Sequence, residues 1–198
     1  MKKWLVPVLI IGAIVLGIYL LFAGKYNNAV DKQEQARKTW ADVESAYQRR
    51  NDLIPSLVNT VRGAADFERS TITEVIEARS KATSINVDAE NMSEAQMQQF
   101  QQAQSQVSSA LSRLLVTVER YPELKATQNF QQLQSQLEGT ENRINVARNR
   151  YNESVTEYNR YIRQFPNNVI VGMYGFDRMP VYEADAGAET APEVEFEF

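Results

Sequence analysis

An uncharged apolar run from residue 4 to residue 22 limits the fold of this 198-residue chain more than any other feature. As a helix, the run is about 28 Å long, which is close to the thickness of the hydrocarbon layer of a bilayer. We predict a transmembrane anchor over residues 1–23, with residues 4–22 in contact with the lipid bilayer. A cleaved signal peptide is the alternative, with Lys2 and Lys3 as its basic start and Ala23 at its cleavage site. The run is longer than the apolar core of a signal peptide, which favours the anchor.

A heptad pattern of core-type residues follows the apolar run. Its members alternate at spacings of four and three, and they are Ala29, Gln33, Ala36, Trp40, Val43, Tyr47, Arg50 and Ile54. A helix with so narrow a buried stripe needs long neighbours that lie nearly parallel or antiparallel to it. The pattern therefore predicts a bundle of long helices.

Four residues mark a predicted structural hinge: Arg49, Arg50, Asp52 and Pro55. Pro55 has no backbone N–H donor and disfavours helical geometry at the residue before it, so the helix turns or kinks there. We expect a turn, with Asp52 as the N-cap of the next helix. In the alternative, the helix kinks at Pro55 and continues.

Three further helices are predicted beyond the hinge. The second runs from about residue 53 to 85, with Ala64 or Ala65, Ile72 and Ile76 among its inward-facing residues. The third starts at a capping box and ends before a proline, and the fourth runs from about residue 128 to 165. The capping box consists of Ser93 and Gln96, and the proline is Pro122.

These patterns together predict an all-α fold. An N-terminal transmembrane helix is followed by an elongated antiparallel bundle of four long helices, or three if the Pro55 hinge is only a kink. The bundle covers residues 24–166, and residues 167–182 form an apolar, irregular segment that packs on it. Residues 183–198 are expected to be an acidic, disordered tail.

The composition excludes several kinds of chemistry. The sequence contains no cysteine and no histidine, which removes thiolate and imidazole catalysis and most transition-metal sites. We predict no catalytic, cofactor-binding or metal-binding residues, and no enzyme activity. The net charge of −4 divides into +2 from Lys2 and Lys3, zero from residues 4–176, and −6 from residues 177–198. A neutral body argues against nucleic acid as a partner.

Arg50 lies on the predicted buried seam, and acidic residues occur near it or on later helices, namely Asp52, Asp66, Glu68 and Glu141. In one interpretation these groups form a buried polar network that fixes the register between helices. In the other they are surface charges whose aliphatic stems lie along the bundle.

Seven glutamines lie between residues 96 and 106, which makes this helix surface almost free of charge. Copies of such a surface can pack without repulsion between like charges. We therefore predict a candidate self-association face at Gln98, Gln102 and Gln106. A solvated helix face is the alternative interpretation.

Two blocks of residues resemble the bacterial LemA family. The first block consists of Arg49, Arg50, Asp52, Leu53, Ile54, Pro55, Leu57, Val58, Thr60, Val61, Gly63, Glu68, Ala78 and Arg79. The second consists of Tyr121, Pro122, Leu124, Lys125, Ala126, Phe130, Leu133, Leu137, Thr140, Glu141, Ile144, Arg148, Tyr151, Asn152, Val155, Tyr158, Asn159, Phe165 and Pro166. The resemblance implies one N-terminal membrane helix carrying a mostly helical domain, in a family whose molecular activity is not settled. The chain departs from it at Phe67, where the family leads us to expect histidine, and at Ser56, where it leads us to expect asparagine.

We therefore expect a non-enzymatic, single-pass protein of the bacterial cytoplasmic membrane that acts as a self-assembling, homo-oligomeric scaffold of the cell envelope. The alternative is an adaptor that recruits an envelope protein partner through its C-terminal segment. Basic residues flank the apolar run on both sides, so the positive-inside rule leaves the side of the helical domain open. The resemblance places it in the cytoplasm, whereas a signal-like start places it outside.

Overall fold

A computed structural model describes residues 4–63 and 67–183 of the chain. The elements in this part are all helices. They are α1 (Leu5–Arg62), α2 (Arg69–Ser84), α3 (Glu94–Val118), α4 (Pro122–Lys125), α5 (Gln128–Arg163) and α6 (Asn167–Gly172). The predicted all-α fold is confirmed.

Helix α1 joins the apolar run to the bundle without a break. It contains 58 residues, and its apolar part is long and hydrophobic enough to cross a membrane. Apolar side chains such as Leu9 and Leu16 are exposed there, whereas the heptad seam from Ala29 onward is buried, with Trp40 at 0% exposure. Only Gln33 on that seam is half-buried. The predicted anchor and the first bundle helix are thus one rod, about 87 Å long at the α-helical rise.

The turn predicted at Pro55 is wrong, because α1 continues through this residue to Arg62. The stated alternative, a helix that continues past the proline, is correct. Pro55 cannot donate to the carbonyl of Asn51, but the Nε of Arg79 in α2 donates to that carbonyl at 2.9 Å. Asp52 consequently lies exposed inside α1 and does not cap a helix.

The helix predicted for residues 53–85 is therefore divided. Its first part belongs to α1, and its second part is α2, which starts at Arg69. Ile72 is buried as predicted, but Ile76 is 41% exposed because it lies on the outer side of α2. Ala64 and Ala65 lie outside the described residues.

The other predicted boundaries agree with the structure. Ser93 accepts from the backbone N–H of Gln96, and the Gln96 side chain accepts from the backbone N–H of Ser93, so the capping box is present. Helices α3 and α5 correspond to the predicted third and fourth helices. Helix α5 ends at Arg163, slightly before the predicted end at residue 165, and Phe165 beyond it is 81% exposed.

The bundle consists of two helix pairs packed against each other. Helix α5 runs antiparallel to α1, since Lys32 pairs with Glu157 and Arg50 pairs with Glu141. Helix α2 lies beside α3. The core forms two clusters: one near the apolar run, which includes Trp40, Phe100 and Tyr151, and one at the far end, which includes Leu57, Val107, Leu114 and Phe130.

The segment after α5 packs on the bundle. It starts with α6 and continues as an extended chain in which Met179, Pro180 and Tyr182 are buried. Residues 184–198, which contain most of the predicted acidic tail, lie outside the described residues.

Candidate functional site

A buried arginine joins three helices between the two core clusters. Arg50 is 1% exposed and donates through Nη1 to Ser108 Oγ at 2.7 Å and to Glu141 Oε1 at 3.0 Å. Its Nη2 donates to the backbone carbonyl of Gln104 at 3.1 Å and to the Oε1 atom of the same residue at 2.8 Å. The guanidinium also lies 5.0 Å from the ring centroid of Tyr47. We call Arg50, Gln104, Ser108 and Glu141 the polar layer.

The polar layer specifies how the helices align. If α1 moved along α3 and α5, the Arg50 charge would lose its acceptors and stay buried among apolar side chains, which is unfavourable. The structure thus brings Arg50 and Glu141 together in the predicted network, while Asp52 and Glu68 are exposed and Asp66 lies outside the described residues.

The predicted hinge set does not act as a unit. Of its four members only Arg50 is buried, while Arg49, Asp52 and Pro55 are exposed. Arg49 and Asp52 line an open groove between α1 and α5. In place of the predicted hinge, α1 is continuous here. Arg79 binds it on one side, and the polar layer joins it to α3 and α5 on another.

Two asparagines of α5 bind the backbone of the extended C-terminal segment, residues 177–183, which we call the strap. The side chain of Asn159 donates to the carbonyl of Met179 at 2.8 Å and accepts from its N–H at 3.0 Å. Asn152 binds Tyr182 in the same way, with both distances at 2.8 Å. Each asparagine thus pairs with both backbone polar groups of one residue, as a neighbouring strand does.

Two tyrosines beside these asparagines bind further carbonyls of the strap. Tyr158 donates its hydroxyl to the carbonyl of Asp177, and Tyr151 donates to the carbonyl of Pro180, both at 2.8 Å. Burial, and to a lesser extent the Asp177 carboxylate, raises the pKa of Tyr158 to about 12. Burial also raises the pKa of Tyr151 well above its ordinary value. Both phenols are therefore fixed as neutral donors.

The far end of the strap is closed by a tyrosine pair. The hydroxyl groups of Tyr47 and Tyr182 are 2.6 Å apart in the core. Burial, together with the neighbouring Tyr182, raises the pKa of Tyr47 well above its ordinary value. The Arg148 guanidinium lies 3.9 Å from the Tyr182 ring centroid, and its Nη2 donates to the carbonyl of Glu183 at 3.1 Å.

The candidate self-association residues lie on one side of α3. Gln98, Gln102 and Gln106 are exposed and follow one another at intervals of four residues. Gln104, from the same glutamine-rich stretch, is instead buried in the polar layer. The surface is therefore accessible and uncharged, and self-association through it stays a prediction.

Comparison with known proteins assigns the chain to a family. The LemA family model matches residues 39–196, which include the polar layer and the strap. The chain belongs to the LemA family. Protein LemA of Metamycoplasma hominis is 24% identical over 172 residues, which cover 86% of this chain and 75% of that protein. The resemblance stated from the two sequence blocks is thus confirmed.

In this LemA family chain, the residues that hold the strap were not predicted from the sequence. Tyr151, Asn152, Tyr158 and Asn159 were named only as members of the second family-like block, and their partners in the strap were not foreseen. One signal was present: the dipeptide Tyr-Asn occurs twice within α5, seven residues apart, which places both copies on the same side of the helix. Phe67 is a buried core residue whose ring centroid lies 5.0 Å from that of Tyr121.

The polar groups of this site bind another segment of the same chain. Its asparagine and tyrosine side chains recognise the backbone of an extended segment, independently of that segment's side chains. Among the described residues, no group of three or more acidic side chains is placed to hold a metal ion. The observed hydrogen bonds hold the strap against α5.

Proposed function

We propose that this LemA family chain is a non-enzymatic, single-pass membrane protein whose helical bundle is a self-assembling scaffold of the cell envelope. The observation that carries this proposal is the continuity of α1, which runs from the exposed apolar residues into the buried core of the bundle. A bundle on such a helix is attached to the bilayer of the bacterial cytoplasmic membrane through residues 4–22.

The bundle part of α1 is stiff, and this suits a scaffold. A helix that has lost a hydrogen bond at proline is a place where bending is easy, because the freed carbonyl has no partner. In α1 the carbonyl freed by Pro55 accepts from Arg79. The far cluster and the near cluster are therefore parts of one rod, and neighbouring molecules can align side by side along it.

The non-enzymatic assignment is supported by the sequence and by the way the polar groups are used. The chain has neither histidine nor cysteine. Arg50 and Tyr151 are fully or almost fully buried and are engaged by other residues of the chain. Such groups stabilise the fold and are not available to a substrate.

Self-association is proposed to use the face formed by Gln98, Gln102 and Gln106. Three uncharged amides spaced along about 12 Å of helix can exchange hydrogen bonds with a second copy, and no charge must be desolvated in the process. Exposure of all three residues supports this role.

The test measures the mass of the intact protein in mild detergent by light scattering, with mass spectrometry of the same peak. We expect a homo-oligomer that dissociates in the triple variant Gln98→Glu, Gln102→Glu, Gln106→Glu, because three like charges then face their copies. The matched control makes the same change at Gln128, Gln131 and Gln132, which are exposed on α5. A monomer in the unsubstituted protein, or equal dissociation in both variants, contradicts the proposal.

A second candidate function is an adaptor that recruits an envelope protein. The strap favours it, because the chain is fixed to the bundle as far as Glu183 and the acidic residues follow from that fixed point. Truncation after Glu183 keeps the strap and removes only the residues beyond it. Loss of one specific co-purified protein on this truncation supports the adaptor, and unchanged co-purification contradicts it.

A further inference from the structure

A stripe of exposed apolar side chains follows α5. Phe165, Val169 and Met173 are spaced four residues apart and are 81%, 55% and 73% exposed. Ile170 and Val171 lie on the other side of α6 and are 5% and 1% exposed. The bundle thus covers Ile170 and Val171 of α6 but leaves Val169, and the flanking Phe165 and Met173, exposed. We call Phe165, Val169 and Met173 the apolar stripe.

The stripe lies at the level where α1 leaves its apolar run. The ring of Tyr26 packs edge-on against Tyr174 and Phe176, with centroids 5.0 Å and 5.5 Å away. Tyr161 donates its hydroxyl to the carbonyl of Lys25 at 3.0 Å. These contacts fix the end of α5 and the residues after α6 beside residues 25–26 of α1.

This level corresponds to the interface of a bilayer that residues 4–22 cross. Tyr26 is four residues beyond Phe22, or about 6 Å along the helix. The polar region of each leaflet is about 5–7 Å thick, so α6 lies within it. An open groove lined by Tyr19, Phe22, Tyr26 and Tyr174 joins the apolar run to the neighbourhood of the stripe. The groove reaches Tyr174, which is 60% exposed and directly follows Met173 of the stripe.

The charges near the stripe also suit a membrane surface. The last turn of α5 carries Arg160 and Arg163, which are both exposed, and Arg178 is exposed at the start of the strap. Asp177 is the acid beside them. A net positive group next to apolar side chains is the combination that binds the anionic headgroups and the acyl boundary together.

We propose that the apolar stripe is a second membrane contact, which inserts into the boundary between headgroups and acyl chains of the leaflet from which α1 emerges. The rod is then held at two points, and its tilt and rotation relative to the bilayer are fixed. This inference rests on the proposed membrane anchor.

The chain contains no cysteine, so each single-cysteine variant carries one spin label at a chosen position. The full-length protein is placed in vesicles of phosphatidylcholine with a minority of phosphatidylglycerol, and the depth of each label is obtained from its accessibility to oxygen and to a water-soluble nickel complex. The positions are Val169→Cys and Met173→Cys on the stripe, Leu16→Cys on the run, and Gln131→Cys near the start of α5 as the exposed control.

We expect the labels at Val169 and Met173 to lie about 5–10 Å deep, the label at Leu16 to lie in the hydrocarbon, and the label at Gln131 to lie in water. Labels at Val169 and Met173 in water, with Leu16 in hydrocarbon, overturn the second contact and leave the anchor intact. A label at Leu16 in water overturns the anchor and this inference together. The stripe labels could also be shielded only at a high ratio of protein to lipid and become accessible when the protein is diluted with lipid. That result would show that a second copy covers the stripe, and it would also overturn the inference.

Discussion

The bond between Arg79 and the backbone of α1 explains how a helix passes through Pro55, and it can be tested by a double-mutant cycle. In a regular helix the carbonyl of Asn51 accepts from the N–H of residue 55, which proline lacks. Asn51 is only 6% exposed, so water cannot readily replace the donor. The Arg79 Nε, 2.9 Å from the carbonyl, takes that place.

The expected free energies follow from this geometry. A hydrogen bond from a charged donor contributes about 1.5–3 kcal/mol, and Arg79 is half-buried, so Arg79→Met should lower the free energy of unfolding by about 2 kcal/mol. In the Pro55→Ala background the backbone N–H of the introduced alanine supplies the missing donor. The same Arg79→Met change should then cost about 1 kcal/mol less.

The assay is urea unfolding of the full-length protein in mild detergent, followed by far-UV circular dichroism and tryptophan fluorescence. Arg69→Met is the matched control, because Arg69 is an exposed arginine of the same helix, and it should change the free energy of unfolding by no more than about 0.5 kcal/mol in either background. If Arg79→Met costs the same with proline and with alanine at position 55, the explanation for the continuous helix is wrong.

Three further predictions concern the polar layer and the strap. Arg50→Met should lower the free energy of unfolding by about 3 kcal/mol in the same assay, since buried acceptors lose their donor. Arg49→Met at the adjacent exposed position should be nearly neutral. Equal effects of the two changes would contradict the stabilising role of the polar layer. Asn152→Ala removes two hydrogen bonds to the strap. Trypsin should therefore cleave after the exposed Arg178 roughly five- to a hundredfold faster, as measured by mass spectrometry. An unchanged cleavage rate would show that Asn152 does not hold the strap. The pKa of Tyr158 rises from 10.0 to about 12 on folding, so its contribution to stability is complete below pH 10 and is lost as the pH rises to 12. A tyrosinate absorbance titration in which every phenol ionises near pH 10 would refute this pH dependence.

Much of the fold was predictable because local patterns determine it. The heptad seam around Trp40, the capping box at Ser93 and the proline stop before Pro122 each act within a few residues, so each is visible in the sequence. The resemblance to the LemA family was also visible in short blocks of residues. The error at Pro55 arose because the residue that compensates for the proline, Arg79, lies in another helix.

The candidate site was predictable only in part, for a related physical reason. Arg50 on an apolar seam indicated a buried charge, and Glu141 was named among its partners. The acceptors contributed by Gln104 depend on which side of α3 faces inward, and a run of glutamines does not reveal this. The role of Asn152 depends on a contact with a segment 30 residues further along the chain.

The strap runs along the bundle away from the proposed bilayer surface. It begins near Tyr26, beside the proposed bilayer surface, and ends where Tyr182 meets Tyr47. The distance from Tyr26 to Tyr47 along α1 is about 32 Å at the helical rise. The strap therefore fixes Tyr182 part-way along the rod, at the level of Tyr47.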